Sequence, residues 1–362
     1  MNNSASEHGV RTQTDTADGS DIVLSAREIS VEVDGQKSRL FGRRPRITII
    51  DDVSLELEAN RTYGLVGESG SGKSTLGRAL IGVQEHGSGD IVFLGTRLPT
   101  TNAVSERQVR RQVQMIYQNP LGSFDPRQTI RESMAEALRA HGRAADDAVL
   151  TSLMDEVGLP HSALDSTPRA LSGGQRQRAA IARAISLEPA LIVADEPFAA
   201  LDVTTQARVV ALLARLQHER GLTQLVISHD LALMDLICDE IFVLYLGSIV
   251  EHAPASVLAD RAAHPYTLAL RSAIPVPDPT IQRSRERVLL NGDPPSPAAR
   301  PSGCPFRTRC PFAIEVCATE RPPLRSIGSR HTVACHRAEE VQRGGTAAAA
   351  AAATSQRGGE TR

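Results

Sequence analysis

No apolar run in this chain approaches the roughly eighteen residues a helix needs to cross a bilayer, and Met1 to Ser20 lacks the apolar centre of a secretion signal. Both absences argue against an integral or secreted protein, so the chain is expected to be cytoplasmic unless a partner recruits it. A basic excess is missing as well: the formal net charge is −2, and no chain-wide positive field points to nucleic acid. Cysteine is scarce, five in 362 residues, yet four of the five fall between Cys304 and Cys335. In a reducing compartment that crowding suggests a metal before a disulfide. Apolar residues, at 41%, are present in ordinary measure for a globular chain, and the length suits two or three domains.

The most informative stretch is Gly67-Glu68-Ser69-Gly70-Ser71-Gly72-Lys73-Ser74. It fits G-x-x-x-x-G-K-[ST] and lies between the apolar run Thr62–Val66 and a helix-like run that begins at Thr75, the strand-loop-helix setting of a phosphate-binding loop. Small residues let successive N–H groups turn inward as an anion nest, and the next helix points its positive end at the same place. Lys73 adds a full charge near the terminal phosphates, and Ser74 offers a hydroxyl to Mg²⁺.

Upstream, residues 1–21 read as a polar tail. Ile22–Leu24, Ile29–Val33, Ile47–Ile50 and Val53–Leu57 alternate as short antiparallel strands, with Lys37–Arg46 between them as a solvated hairpin tip or, in the sharper alternative, a contact for an anionic membrane surface or a partner. Downstream, the strand Val113–Tyr117 ends on Gln118, where a polar amide can sense a γ-phosphate. Helical periodicity follows from Thr129 to Leu159. Leu171-Ser172-Gly173-Gly174-Gln175 then opens another helix, and its exposed N–H groups make a second anion site. The strand Ala190–Ala194 delivers Asp195 and Glu196 to its carboxyl edge, where open parallel sheets place ligands. Asp195 suits Mg²⁺ held through its water shell, and Glu196 suits orientation or deprotonation of an attacking water. Leu201-Asp202 follows, and the strand Thr223–Ile227 ends near His229, on the same edge as Glu196. Ile241–Tyr245 and Ser248–Glu251 form a closing hairpin around Gly247.

The order of these motifs resembles the ATP-binding cassette (ABC) family, and within it the ATPase subunits of peptide and nickel importers, over most of residues 22–340. Met115–Arg127 and His264–Leu270 look like the second, F-type member of the paired ATPases in dipeptide and oligopeptide systems. The resemblance implies an α/β ABC ATPase fold: a RecA-like P-loop core, an antiparallel β subdomain, an inserted helical subdomain near 105–185, and a small cysteine-containing C-terminal extension. It divides the chain into a nucleotide-binding domain at 22–260, the extension at 261–340 and a low-complexity tail at 341–362. ATP and Mg²⁺ are then held by Gly67 to Thr75, Gln118, Asp195 and His229, with Ser74, Gln118 and Asp195 about the metal. Lys73, Gln118, Glu196 and His229 are the catalytic set. Leu171 to Gln175 is the signature that serves a partner's ATP, and Asp202 lies in the D-loop.

Implied partners are a second ABC ATPase, as a heterodimer with a paralogue, two transmembrane permeases and, indirectly, an extracytoplasmic substrate-binding protein. The chain would sit peripherally on the cytoplasmic face of the inner membrane, powering import of dipeptides or oligopeptides, with no nucleic acid expected. A soluble cassette acting on ribosomes or nucleic acid, and an exporter ATPase, are the alternatives. The chain departs from the family where an aromatic ring normally stacks on adenine. Val31 and Val33 take that place, and only Phe41 or Tyr63 offers a ring nearby.

The C-terminal cysteines, Cys304, Cys310, Cys317 and Cys335, are spaced C-x5-C-x6-C-x17-C with no C-x2-C pair. By spacing, a [4Fe–4S] cluster, tetrahedral zinc and unligated thiols all stay open; the resemblance favours the cluster. His331 and His336 read as surface residues, and Cys238 as a packed small side chain.

Overall fold

In a computed structural model of the chain, residues 22–35, 45–275, 278, 288, 290 and 292–344 are described. The tail 1–21, most of the Lys37–Arg46 tip including Phe41, and the alanine-rich end from 345 lie outside them.

Two sheets organise the fold. The first is antiparallel and four-stranded, in the order β2 (Arg46–Glu58), β1 (Ile22–Asp34), β4 (Ser88–Phe93), β5 (Thr96–Leu98). The four short strands expected before the phosphate loop are in fact two strands of 13 residues each. Their alternation is interrupted because Glu28 and Asp52 adopt left-handed backbone at φ 53° and 56°, and the β1–β2 register shifts on both sides of Ile29. A bulge skips one residue of the period while the strand continues.

The second sheet has eight strands. Its parallel part runs β9 (Glu240–Tyr245), β3 (Thr62–Val66), β8 (Thr223–Ser228), β7 (Leu191–Asp195), β6 (Val113–Ile116). Successive residues of these strands enter opposite cores. Leu191, Val193, Leu225, Ile227, Phe242 and Leu244 face the side of the first sheet and the helix α1 (Lys73–Leu80). Ile192, Ala194, Val226, Ile241 and Val243 face the side of the helical insertion. A strand covered on both faces needs an uninterrupted apolar run, the sequence pattern these strands show. Each large side chain fully buried here contributes roughly 1.5–3 kcal/mol.

The helical insertion is divided more finely than its periodicity suggests. A helix that the sequence pattern does not reveal, α2 (Ala103–Gln112), precedes β6, capped by Asn102 and too polar to show an apolar stripe. The stretch 129–159 is two helices, α3 (Ile130–Ala140) and α4 (Asp147–Glu156), broken at Gly142 with φ 68°. Helix α5 (Gly173–Ile185) then returns to the sheet, and α6 (Val203–Arg220) connects β7 to β8.

Beyond α7 (Leu231–Ile237) and β9, the strand β10 (Ser248–Pro254) pairs antiparallel with β9 through the expected turn at Gly247. Helices α8 (Ala255–Arg261) and α9 (Pro265–Ala273) follow, then α10 (Val316–Thr319) and the hairpin β11 (Arg325–Gly328) and β12 (His331–Val333). Strand β12 pairs with β10, so the C-terminal segment extends the main sheet. Cys304, Phe306 and Cys317 join the core on the helical side. His331 is buried, 3% exposed, with Nε2 2.8 Å from Glu251 Oε1. The expectation of a surface residue fails because an isolated histidine in a polar sequence does not reveal a carboxylate 80 positions away. Cys238 is packed beside Met234, its Sγ 3.7 Å from Met234 Sδ. No helix among the described residues is long and apolar enough to cross a membrane.

Candidate ATP site

The loop 67–74 joins β3 to α1, and its last glycine explains the close turn. Gly72 has φ 102°, and a Cβ there would fall 2.8 Å from Ile50 Cδ1. The left-handed dihedral disfavours any other residue there, and a side chain would also have to push Ile50 aside, so glycine lets the backbone turn directly into the helix. Lys73 is 6% exposed, and its Nζ donates to the carbonyls of Gly67 at 2.7 Å and Glu68 at 2.9 Å. Burial lowers its pKa, against the opposing fields of Glu196, Asp195 and Glu68. The Ser71 hydroxyl is buried without a hydrogen-bond partner.

At the ends of neighbouring strands the expected carboxylates meet this loop. Ser74 Oγ donates to Asp195 Oδ1 at 2.7 Å. Asp195 is 1% exposed, its Oδ2 receives no hydrogen bond, and Arg78 Nη2 stands 3.6 Å from it. A buried carboxylate oxygen with spare lone pairs beside a serine hydroxyl is the donor set that suits Mg²⁺ and its water shell. Glu196 follows with left-handed backbone, φ 48°, its amide donating to Ile227 O at 2.9 Å. His229 Nδ1 lies 3.1 and 3.0 Å from the two Glu196 carboxylate oxygens. Gln118, Glu196, His229 and residues of the loop line one cavity of about 890 Å³, whose aliphatic side is Val33, Ile49 and Leu270.

Tyr63 does not serve as a base-stacking ring. It is wholly buried, stacks on Phe242 at 5.9 Å, and its Oη accepts from the Glu58 amide. Tyr63 occupies β3, where both faces are covered, which the local sequence could not show.

The signature stands elsewhere. Ser172 caps α5 in a reciprocal pair with Gln175: its Oγ accepts from Gln175 N at 3.2 Å, and Gln175 Oε1 accepts from Ser172 N at 2.8 Å. Ser172 and Gly173 are exposed, and no residue from Leu171 to Gln175 lines the cavity. Asp202 caps α6 beside it, accepting from Thr205 N at 2.9 Å and Thr205 Oγ1 at 2.7 Å, and these bonds hold its pKa below the usual value.

The four C-terminal cysteines are drawn toward one another. Burial raises the Cys310 pKa, and the fields of Cys335, Cys304 and Cys317 add to the rise; Cys335, likewise buried, is pushed up to about 12. Yet among the described residues no group of three or more His, Cys, Asp or Glu side chains is arranged to hold a metal ion. The arrangement therefore lends no support to the iron–sulfur or zinc site expected at Cys304, Cys310, Cys317 and Cys335; Cys304 and Cys317 are buried, and Cys310 and Cys335 are partly exposed. Cys304 and Cys317 are committed to packing, both 8% exposed within the main core, with the Cys304 amide donating to Cys317 O at 2.9 Å.

One contact escaped sequence reasoning. Arg309 Nη1 and Nη2 donate to Glu68 of the phosphate loop at 2.8 and 3.1 Å, across 241 positions. No local signal marks the arginine, whose neighbour in sequence is Cys310.

Comparison with known proteins agrees with this geometry. Residues 50–199 match the ABC transporter family, and residues 250–317 match the oligopeptide/dipeptide transporter C-terminal region. The chain is 44% identical over 311 residues to the oligopeptide transport ATP-binding protein OppF of Haemophilus influenzae, covering 85% of this chain and 94% of that one. It is 43% identical to OppF of Salmonella typhimurium over 326 residues, covering 88% and 97%. Among solved structures, the dimeric bacterial ABC transporter cassette MJ0796 shares the fold, with a TM-score of 0.57 and 24% identity over 64% of this chain and 98% of that one. The chain belongs to the ABC transporter family, among the ATP-binding subunits of the oligopeptide and dipeptide transporter group.

Proposed function

We propose that this chain is the ATP-hydrolysing subunit of an importer of oligopeptides or dipeptides, and that it acts as half of a dimer with a second, paralogous cassette. The observation that carries the reading is a division of parts. Lys73, Ser74, Gln118, Glu196 and His229 line one cavity, with Asp195 bonded to Ser74 behind it, whereas Ser172 and Gly173 present a capped helix start to solvent outside it. A second anion-binding helix start with no phosphate of its own to bind suits the nucleotide of a facing subunit. The MJ0796 cassette, which shares the fold, is dimeric, and the relatives named above are oligopeptide transport proteins.

In this reading Gly67 to Thr75 cradle the phosphates, and Lys73 moves from the loop carbonyls to the terminal phosphate. Mg²⁺, when bound, neutralises charge that builds on the phosphate oxygens. Ser74, Asp195 and Gln118 would hold it. Glu196 orients the attacking water and takes its proton, and His229, held by Glu196 through Nδ1, keeps its other ring nitrogen for the γ-phosphate. Asp202 fixes the start of α6 beside the signature at the dimer face. ATP drives closure because it binds the closed dimer more tightly than the open one, and hydrolysis removes that preference.

The chain comprises a nucleotide-binding domain near 22–260 and a C-terminal extension to about 340. It sits peripherally on the cytoplasmic face of the membrane, on two permease subunits served by an external substrate-binding protein. Tyr117 and Leu121, exposed on either side of Gln118, supply an apolar edge for a permease contact. Glu196→Gln tests the assignment. Nucleotide binding should persist while turnover falls by about a hundredfold or more and an ATP-bound dimer accumulates on size exclusion. Undiminished turnover would refute it.

A further inference from the structure

We infer that Arg309, supplied by the cysteine-bearing C-terminal segment, is a positioning residue of the ATP site: it anchors and neutralises Glu68 of the phosphate loop. The inference rests on the ATP-site reading above and extends it to a part of the chain outside the cassette motifs.

Glu68 is held at three points. Its carbonyl accepts from Lys73 Nζ at 2.9 Å, its amide donates to Tyr266 Oη at 2.7 Å, and its carboxylate takes both terminal nitrogens of Arg309. Arg309 is itself 8% exposed, with its guanidinium carbon 6.0 Å from the Tyr245 ring centroid. Tyr245 packs on Tyr266 at 4.8 Å and on Phe306 at 5.0 Å, and the Arg309 amide donates to Phe306 O at 3.0 Å. Three segments distant in sequence thus build one rigid seat for a single guanidinium.

Two physical consequences follow. A carboxylate in a loop that must receive a polyanion opposes the ligand, and a bidentate arginine cancels that charge without drawing on the loop's own N–H groups. The pair also fixes the backbone from which Lys73 hangs, so the nest is formed before phosphate arrives. Stability alone does not call for the pair, since an ion pair this buried is often matched by apolar side chains.

The experiment uses the full chain, equilibrium binding of N-methylanthraniloyl-ATP, and steady-state turnover. Removing Arg309 strands the Glu68 charge, so Arg309→Met should weaken binding on the order of tenfold, through KM with kcat changed less than about threefold. Glu68→Gln in the same chain should restore affinity to within about threefold of the starting protein, because no carboxylate is left to repel phosphate. Arg309→Lys should fall between. Should Arg309→Met fail to fold, Glu68→Gln alone decides: with Arg309 still charged it should bind more tightly than Glu68→Gln/Arg309→Met. Normal binding by Arg309→Met, failure of Glu68→Gln to rescue it, or equal affinity of those last two proteins overturns the inference. Lys73→Ala separates the two levels: if it loses binding while Arg309→Met keeps it, only this inference fails, and if it binds normally the ATP-site reading fails.

Discussion

Alanine at Gly174 should change the sign of its effect with a single methyl group on a neighbouring helix. A Cβ built at Gly174 lies 2.3 Å from Thr205 Cγ2, while the next atoms, Thr205 Cβ and Oγ1, are each 3.5 Å away. The collision is thus with one methyl at the crossing of α5 and α6, held rigid because Thr205 N and Oγ1 both bond Asp202. Overpacking of this kind costs about 1–3 kcal/mol. Alanine in place of glycine in a helix returns up to about 1 kcal/mol. The clash wins, so Gly174→Ala should destabilise the chain by about 1–2 kcal/mol in urea or thermal unfolding. Thr205→Ser deletes the methyl and keeps the hydroxyl and amide bonds to Asp202. In that background the remaining contacts are ordinary, and Gly174→Ala should be neutral or stabilising by up to about 1 kcal/mol. An equal loss in both backgrounds would refute the argument, placing the cost in the first turn of α5 itself and not in the helix crossing.

Two further outcomes follow from buried carboxylates. Glu251 is fully buried, accepting from Ala263 N at 2.6 Å and His264 N at 3.1 Å, with His331 Nε2 at 2.8 Å, so Glu251→Ala should cost about 3–5 kcal/mol, read by chemical denaturation. A loss below about 1 kcal/mol would show that water replaces those bonds. Glu240 is 2% exposed; burial alone would raise its pKa, but His252 and Arg330 outweigh burial and bring it from 4.5 down to about 2. A depressed carboxylate contributes stability that is full above the unfolded value and is lost as pH falls toward the folded one. The decline between pH 4.5 and 2 is about 3 kcal/mol, and Glu240→Gln should flatten that part of the stability profile. An unchanged acid limb in Glu240→Gln would assign the loss to other groups.

What the sequence by itself determined were the parts whose chemistry is local. The phosphate loop, the capped start of α5, and the carboxylates at the end of β7 each declare themselves within a few residues, because turn geometry, helix capping and strand covering act over that range. The apolar runs of β7, β8 and β9 reported a sheet buried on both faces. The bulges at Glu28 and Asp52 hid the length of β1 and β2, and the polar helix α2 had no stripe to show. Tertiary structure alone decided what each side chain meets. It enclosed Tyr63 on a covered strand, set His331 against Glu251, packed Cys304 and Cys317 into the main core, and brought Arg309 onto Glu68. These contacts join positions tens to hundreds of residues apart, and their energy depends on distance and burial, which no local pattern of residues encodes.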